Sequence, residues 1–103
     1  MRTIDAALGM AGLIKDILDL ALKLAPYMID ENVTFEIKYL TNAFVEELCK
    51  PIVIVKKGND VVKEVVFKDI WFSKLDAEAL GELLEFALSR MREVLKQLVV
   101  SKN

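Results

Sequence analysis

Aromatic and basic side chains alternate through the middle of the chain, and together they could bind a polyanion. The candidates lie on or beside predicted strands and are Lys38, Tyr39, Lys56, Lys57, Lys63, Phe67, Lys68 and Trp71. A base stacked on an aromatic ring contributes about 1–3 kcal/mol, and lysine ammonium groups bind phosphates, so the pattern is typical of a groove for single-stranded nucleic acid. A second interpretation stays open, in which the rings form the core and the lysines keep the sheet edges soluble.

Catalytic and metal-binding chemistry finds little support in the composition. The chain has no histidine and one cysteine, which excludes Ser-His-Asp and Cys-His catalysis, histidine zinc sites and a thiolate metal cage. Its four glycines form no phosphate-binding loop. Carboxylates on one face of a predicted helix (Glu78, Glu82, Glu85) or adjacent in sequence (Glu46, Glu47) could hold a metal or exchange protons, but they are also typical of a solvated surface. We therefore expect no enzymatic activity, no metal and no cofactor.

Three strands and a short helix are predicted for the segment that carries the aromatic and basic side chains. Residues 33–40 alternate between apolar and polar side chains, as a half-buried strand does. Residues 42–49 are typical of a short helix that ends before Pro51. Residues 52–57 and 61–72 are rich in β-branched side chains and flank a Gly-Asn-Asp turn, so they are predicted to form a hairpin. The apolar spacing within 61–72 also fits a helix, but its β-branched content favours a strand.

Two long helices flank this segment in the sequence. Thr3 can cap a first helix over residues 4–25, which Pro26 is expected to end. Ser73 and Asp76 form a Ser-x-x-Asp capping pattern at the start of a second helix that continues through the remaining residues.

The predicted fold is a single α+β domain over residues 1–103. In it, a three-stranded, mostly antiparallel sheet packs against a long N-terminal and a long C-terminal helix, with the short helix between strands 1 and 2. Both faces of the predicted hairpin carry apolar residues, so the sequence leaves open which face of the sheet is buried.

A heptad repeat runs along the second helix. The apolar residues that recur there at alternating spacings of three and four are Ala77, Leu80, Leu84, Ala87, Met91, Val94 and Leu98. Apolar residues make up 54% of the chain and the mean hydropathy is +0.36, more than a monomer of this size is expected to bury. We therefore predict a homodimer or higher oligomer, with an interface formed by Leu80, Leu84, Ala87, Met91, Val94 and Leu98.

Charge and hydropathy limit the location and the partners of the protein. The net charge is −2, so a polyanion site would have to be a local patch rather than a generally basic surface. The longest uncharged run, residues 6–14, is nine residues long, whereas a membrane span needs about 20. Asp5 interrupts any leader-like pattern, and the lone Cys49 cannot form an internal disulfide, so we expect a cytoplasmic protein without a membrane partner.

The order of the elements and the C-terminal seam resemble the archaeal ThermoDBP-related single-stranded DNA-binding proteins. The resemblance implies a small antiparallel sheet backed by helices, assembly through a helical or zipper-like element, and a basic, partly aromatic groove for single strands, without enzymatic activity or a metal. It favours a non-catalytic oligomer that binds single-stranded DNA or RNA through one face of its sheet. The alternative is a structural or adaptor module that binds protein and has no nucleic-acid activity.

Overall fold

The fold consists of two long helices and four strands. The computed structural model describes the backbone of residues 3–101 and the side chains of residues 11–99. In chain order the elements are α1 (Thr3–Met28), β1 (Val33–Thr41), β2 (Leu48–Lys57), β3 (Asp60–Val66), β4 (Phe72–Ser73) and α2 (Lys74–Ser101). The predicted α+β class, with an antiparallel sheet and a long helix on either side of it in sequence, is confirmed. The predicted cap at the Thr3 side chain lies outside the described side chains.

The sheet is antiparallel, in the order β1-β2-β3, and β4 pairs with the start of β2. The pairing of β1 with β2 is uninterrupted over the whole length of β1. The β2–β3 hairpin turns at Gly58, whose φ is +64°, a left-handed conformation that glycine adopts without steric cost. A register shift between Val55 and Lys56 places a β-bulge in this hairpin.

The prediction of one strand over residues 61–72 is wrong, because this stretch is divided into β3 and β4. After β3 the chain leaves the ladder, and the Phe67 N–H donates to the carbonyl oxygen of Pro51 at 3.1 Å. In the connection that follows, the carboxylate of Asp69 lies 2.7 Å from Lys50 Nζ, so polar contacts rather than ladder hydrogen bonds hold it. The sheet therefore has four strands instead of three.

The prediction of a short helix over residues 42–49 is also wrong. The side-chain oxygen of Asn42 accepts hydrogen bonds from the backbone N–H groups of Phe44 and Val45, at 2.8 and 3.0 Å. The Asn42 N–H itself donates to the carbonyl oxygen of Leu48 at 2.9 Å. An asparagine side chain that bonds nearby backbone groups gives them an alternative to helical hydrogen bonds. Residues 42–47 therefore form the loop between β1 and β2.

The two helices begin and end for local reasons. The Asp76 N–H donates to Ser73 Oγ at 3.1 Å, which confirms the predicted cap of α2. Pro26 does not end α1, which continues to Met28. A proline near the end of a helix removes one hydrogen bond, while Met28 is only 1% exposed, so its burial favours the additional turn. Over the residues described, neither helix combines the length and apolar character that crossing a membrane requires.

Both helices pack on the same face of the sheet, which we call the helix-covered face. The buried cluster between them contains Leu20, Leu24, Met28, Val33, Val53, Val55, Val65, Phe67, Leu84 and Leu88. The opposite face, which we call the open face, carries the alternate residues of the same strands, including Ile52 and Ile54 in β2. These isoleucines are 7% and 3% exposed, although no described helix covers them. In the register, Glu36 and Glu64 lie on either side of Ile54, so side chains of the flanking strands shield the centre of the open face.

Candidate functional site

Three of the predicted nucleic-acid-binding residues lie on the open face. Strand alternation places Lys38 and Lys56 there, in β1 and β2. Lys50 occupies the same face, and its Nζ lies 4.4 Å from the centroid of the Trp71 ring. Trp71 is 39% exposed, so part of its ring is accessible from solvent.

Four further predicted residues lie on the helix-covered side, and one of them, Lys57, is opposite Val33 in the register. Lys63 is opposite Val55 in the register, and its Nζ lies 5.9 Å from the ring centroid of Tyr27. Phe67 is 8% exposed and belongs to the core, so its ring is not accessible to a base. Tyr39 packs its phenol against α2. For Phe67, the interpretation of the aromatic residues as core is therefore correct.

Acidic side chains pair with several of the predicted lysines. The ion pairs are Lys56–Glu36 at 3.2 Å, Lys57–Asp30 at 3.3 Å and Lys68–Asp16 at 2.9 Å. A hydrogen bond from the Asn32 backbone, together with the Lys57 ammonium group, lowers the pKa of Asp30. Exposed pairs of this kind stabilise a fold little, but they offset the positive charge that a polyanion would need. The eight predicted residues are therefore dispersed over two faces and partly neutralised, and they do not line one groove.

The predicted oligomer seam is divided along α2. Leu84 is 1% exposed, and Leu80 and Met91 pack against the same core; Ala87 is half-buried. Val94 and Leu98, by contrast, are 47% and 55% exposed. The first part of the seam thus packs within the protomer, and the last part remains uncovered.

A groove between the two helices, on the side away from the sheet, continues this uncovered part. It has a volume of about 580 Å³. We call its apolar lining the outer helical face, which consists of Leu18, Leu22 and Ala25 in α1 and Met91, Val94 and Leu95 in α2. Leu18 and Leu22 are 54% and 75% exposed. The sequence prediction did not include these α1 residues. Leu18 and Leu22 are nevertheless four residues apart, on a stripe of the helix separate from Leu20 and Leu24, and this spacing was visible in the sequence.

A second groove, of about 630 Å³, lies between β1 and α2. We call it the edge groove, and its lining includes Phe35, Ile37, Glu82, Glu85, Phe86 and Arg92. The two elements approach closely at Gly81, where an added Cβ would overlap the hydroxyl of Tyr39 and lie 2.8 Å from its Cζ. The space that Gly81 leaves is therefore filled by a side chain of the same chain.

The edge groove has an acidic end and a basic end. Partial burial and the carboxylates of Glu78, Glu85 and Glu82 raise the pKa of Tyr39, so a negative potential surrounds the phenol. At the other end, an Arg92 Nη2 donates to the carbonyl oxygen of Asp30, and the guanidinium lies 5.3 Å from the Phe35 ring centroid. The Nε of Arg92 is buried and has no hydrogen-bond partner among the described residues.

The fold and its sites define an α+β protein whose two helices cover one face of a four-stranded antiparallel sheet. Among the side chains of residues 11–99, no group of three or more acidic or cysteine residues is placed to hold a metal ion. Comparisons with protein-family models, with curated proteins and with solved structures find no match. The resemblance to the archaeal ThermoDBP-related proteins therefore stays a prediction.

Proposed function

We propose that this chain is a non-catalytic protein-binding module that assembles with itself through the outer helical face. The observation that supports this function best is the exposure of large apolar side chains from both helices along one groove. Leu18, Leu22 and Val94 are each about half exposed or more. Covering such a side chain completely contributes about 1.5–3 kcal/mol for each residue, so a partner that fills the groove gains several such contributions at once.

The charges around the outer helical face favour a second copy as the occupant. On α1, Lys15 pairs with Asp19 at 3.0 Å, and on α2, Arg90 pairs with Glu93 at 3.3 Å. Each helix therefore neutralises its own charges beside the groove. An identical face therefore brings no excess of one charge to the contact, whereas a strongly charged partner would find no complementary rim.

The test compares two leucines of similar exposure. Leu22 is 75% exposed within the outer helical face, and Leu75 is 77% exposed outside it. Because neither side chain is in the core, Leu22→Glu and Leu75→Glu should both leave the fold intact, which the helical circular dichroism signal checks. Light scattering across a range of protein concentrations then gives the mass of each variant.

We expect a multiple of 11.6 kDa for the unmodified chain and for Leu75→Glu, and a folded monomer for Leu22→Glu. A buried glutamate carboxylate at the interface would cost several kcal/mol without a partner, which is enough to dissociate a typical small assembly. An unmodified chain that remains at 11.6 kDa at high concentration would overturn the proposal. An unchanged assembly in Leu22→Glu would exclude the outer helical face as the interface.

Binding of single-stranded nucleic acid remains a second candidate, because Lys38, Lys56 and Trp71 share the open face. Its test is titration of an oligonucleotide at low salt while the fluorescence of the single tryptophan is followed. If the open face binds, Lys38→Glu weakens binding, Lys63→Glu on the opposite face changes it little, and added salt weakens it steeply. Absence of a fluorescence change and of a mobility shift would exclude this function.

The proposal also places the protein in the cytoplasm. Cys49 is free and buried in the core. A chain with a single cysteine cannot form an internal disulfide, so an oxidising compartment would not stabilise it in that way. Cell fractionation tests this, since a cytoplasmic chain is recovered in the cytoplasmic fraction and not with membranes or secreted proteins.

A further inference from the structure

The edge groove combines an unpaired strand edge with an apolar floor and a charged wall. We propose that it binds an extended, lysine- or arginine-containing peptide segment, which adds a strand to β1 and directs alternate side chains against α2. This surface is separate from the outer helical face, so the inference does not depend on self-assembly.

β1 is an edge strand suited to accept another strand. Among the described residues only β2 pairs with it, so every second residue of β1 directs its backbone N–H and carbonyl groups away from the sheet. The strand is nine residues long, contains no proline, and its register has no bulge. Natural edge strands are usually short or carry a proline, a bulge or an inward-pointing charge, since a long regular edge is a template for a further strand.

The opposite edge of the sheet makes a useful contrast. β3 is seven residues long, a bulge interrupts its pairing near Lys56, and the chain leaves the ladder before it reaches the start of β2. That edge is protected in the ways that β1 is not, so strand addition is expected at β1.

Side chains of an added strand that point toward the helices would meet an apolar floor. Phe35 and Ile37 of β1 and Phe86 of α2 line this part of the groove. Phe86 is 65% exposed, an unusual position for a phenylalanine unless another group covers it. Because the groove holds about 630 Å³, it can accept two or three aliphatic side chains from alternate residues of the segment.

The α2 wall selects the charge of the segment. Glu82 and Glu85 line the groove, and neither forms an ion pair with any described residue within 4 Å. Glu78 lies one turn earlier, near Tyr39. Lysine or arginine side chains two residues away from the aliphatic ones lie on the same face of an added strand, so they would meet these carboxylates at the end of the groove beside Tyr39, whereas an acidic segment would be repelled.

A second copy of the chain fits this edge less well. Two β1 strands could pair antiparallel about Ile37, which would place Glu36 opposite Lys38 of the second copy. However, α2 runs beside β1 in the reverse direction, with Gly81 near Tyr39 and Arg92 near Phe35. Because the part of α2 that carries Glu82 and Glu85 lies beside Ile37, at the centre of that arrangement, the carboxylates of the two copies would face each other. The acidic wall therefore favours a basic segment.

The test uses two fluorescein-labelled heptapeptides with blocked termini, both with valine at positions 5 and 7 and threonine at the even positions. One has lysine at positions 1 and 3 and the other has glutamate there, so an added antiparallel strand directs its charged and its aliphatic side chains toward the same face. Fluorescence anisotropy measures their affinity for the full chain. A lysine peptide with N-methylated valines serves as a third probe, since it keeps the charge but cannot donate the backbone hydrogen bonds of an added strand. Two charge-reversed variants complete the design: Glu82→Lys with Glu85→Lys, and the matched control Glu46→Lys with Glu47→Lys in the loop before β2.

We expect the lysine peptide to bind at least about tenfold more tightly than either the glutamate or the N-methylated peptide. The Glu82/Glu85 reversal should remove this preference, and the Glu46/Glu47 reversal, with the same change in net charge, should retain it. Equal affinity for the lysine and glutamate peptides, equal weakening by both reversals, or no binding at millimolar peptide would overturn the inference. A mass of the unmodified chain that falls when the lysine peptide is added would also overturn it, because the edge would then pair with a second copy. The mass of Leu22→Glu is independent of these results, so the two proposals fail separately.

Discussion

Gly81 is predicted to lose the stabilisation that alanine normally brings to a helix, because the phenol of Tyr39 occupies the place of its missing side chain. In an unobstructed helix, Gly→Ala stabilises by about 1 kcal/mol. At Gly81 the new Cβ would overlap Tyr39 Oη, lie 2.8 Å from Cζ and lie 3.2 Å from Ile37 Cγ2. Displacing a packed group costs about 1–3 kcal/mol, so Gly81→Ala should be neutral or destabilise by up to about 2 kcal/mol.

The cause of this cost can be isolated with a double-mutant cycle. In a Tyr39→Ala background the hydroxyl and Cζ are gone, and the remaining neighbour, Ile37 Cγ2, needs to move by only a few tenths of an ångström. Gly81→Ala should then stabilise by about 1 kcal/mol, which corresponds to a coupling of about 1–3 kcal/mol between the two positions. The position-matched control is Gly12 in α1, where an added Cβ meets nothing within 4 Å, so Gly12→Ala should stabilise in either background.

Chemical denaturation followed by helical circular dichroism measures the free energy of unfolding of each variant. All variants are compared at one protein concentration, because assembly would add to the apparent stability. If Gly81→Ala changes the free energy of unfolding equally with Tyr39 and with Ala at that position, the steric explanation is refuted.

Two further predictions follow from the same packing. Leu84→Ala should destabilise the fold by about 2–5 kcal/mol, because Leu84 is 1% exposed between α2 and the sheet. Phe44→Ala should change the free energy of unfolding little, since Phe44 is 95% exposed. Denaturant titration compares the two variants. The pKa of Tyr39 is raised above 10.0 in the folded state, so its contribution to stability is fully present below that pH and is lost as the pH rises through the folded-state value. As the pH rises above about 10, the stability of Tyr39→Phe should therefore fall less than that of the unmodified chain, and parallel curves would contradict this assignment.

The elements with a clear apolar period were predictable from the sequence. The alternation of residues 33–40 anticipated β1, and the serine at position 73 anticipated the cap of α2, because each signal is local. The loop at 42–47 was not predictable in this way. Its apolar residues have helical spacing. Its conformation is decided instead by the hydrogen bonds of the Asn42 side chain and by the return of the chain into β2. That return depends on the pairing of β2 with strands that are distant in sequence.

The candidate sites were less predictable than the fold. A sequence shows that lysines and aromatic residues alternate, but the bulge at Val55 and Lys56 decides which face each residue of β3 occupies, and it reverses the faces expected for part of the hairpin. For this reason Lys63 lies on the helix-covered face with Val55, away from Lys56. The edge groove was not predictable at all, because it depends on how closely α2 approaches β1 at Gly81.

The burial of Ile54 gives a structural reason for the charged residues on the open face. Ile54 is 3% exposed without a helix above it, so side chains on its own face must exclude water. Lys56 lies two residues away on that face, its side chain is only 27% exposed, and its Nζ reaches Glu36, the cross-strand neighbour of Ile54, at 3.2 Å. A lysine in this position covers apolar surface with its methylene groups while its ammonium group stays paired. The same requirement would favour lysine and glutamate on the open face of any sheet that is covered on one side only. Their presence is therefore weak support for nucleic-acid binding. The uncovered apolar residues of the outer helical face are stronger support for assembly.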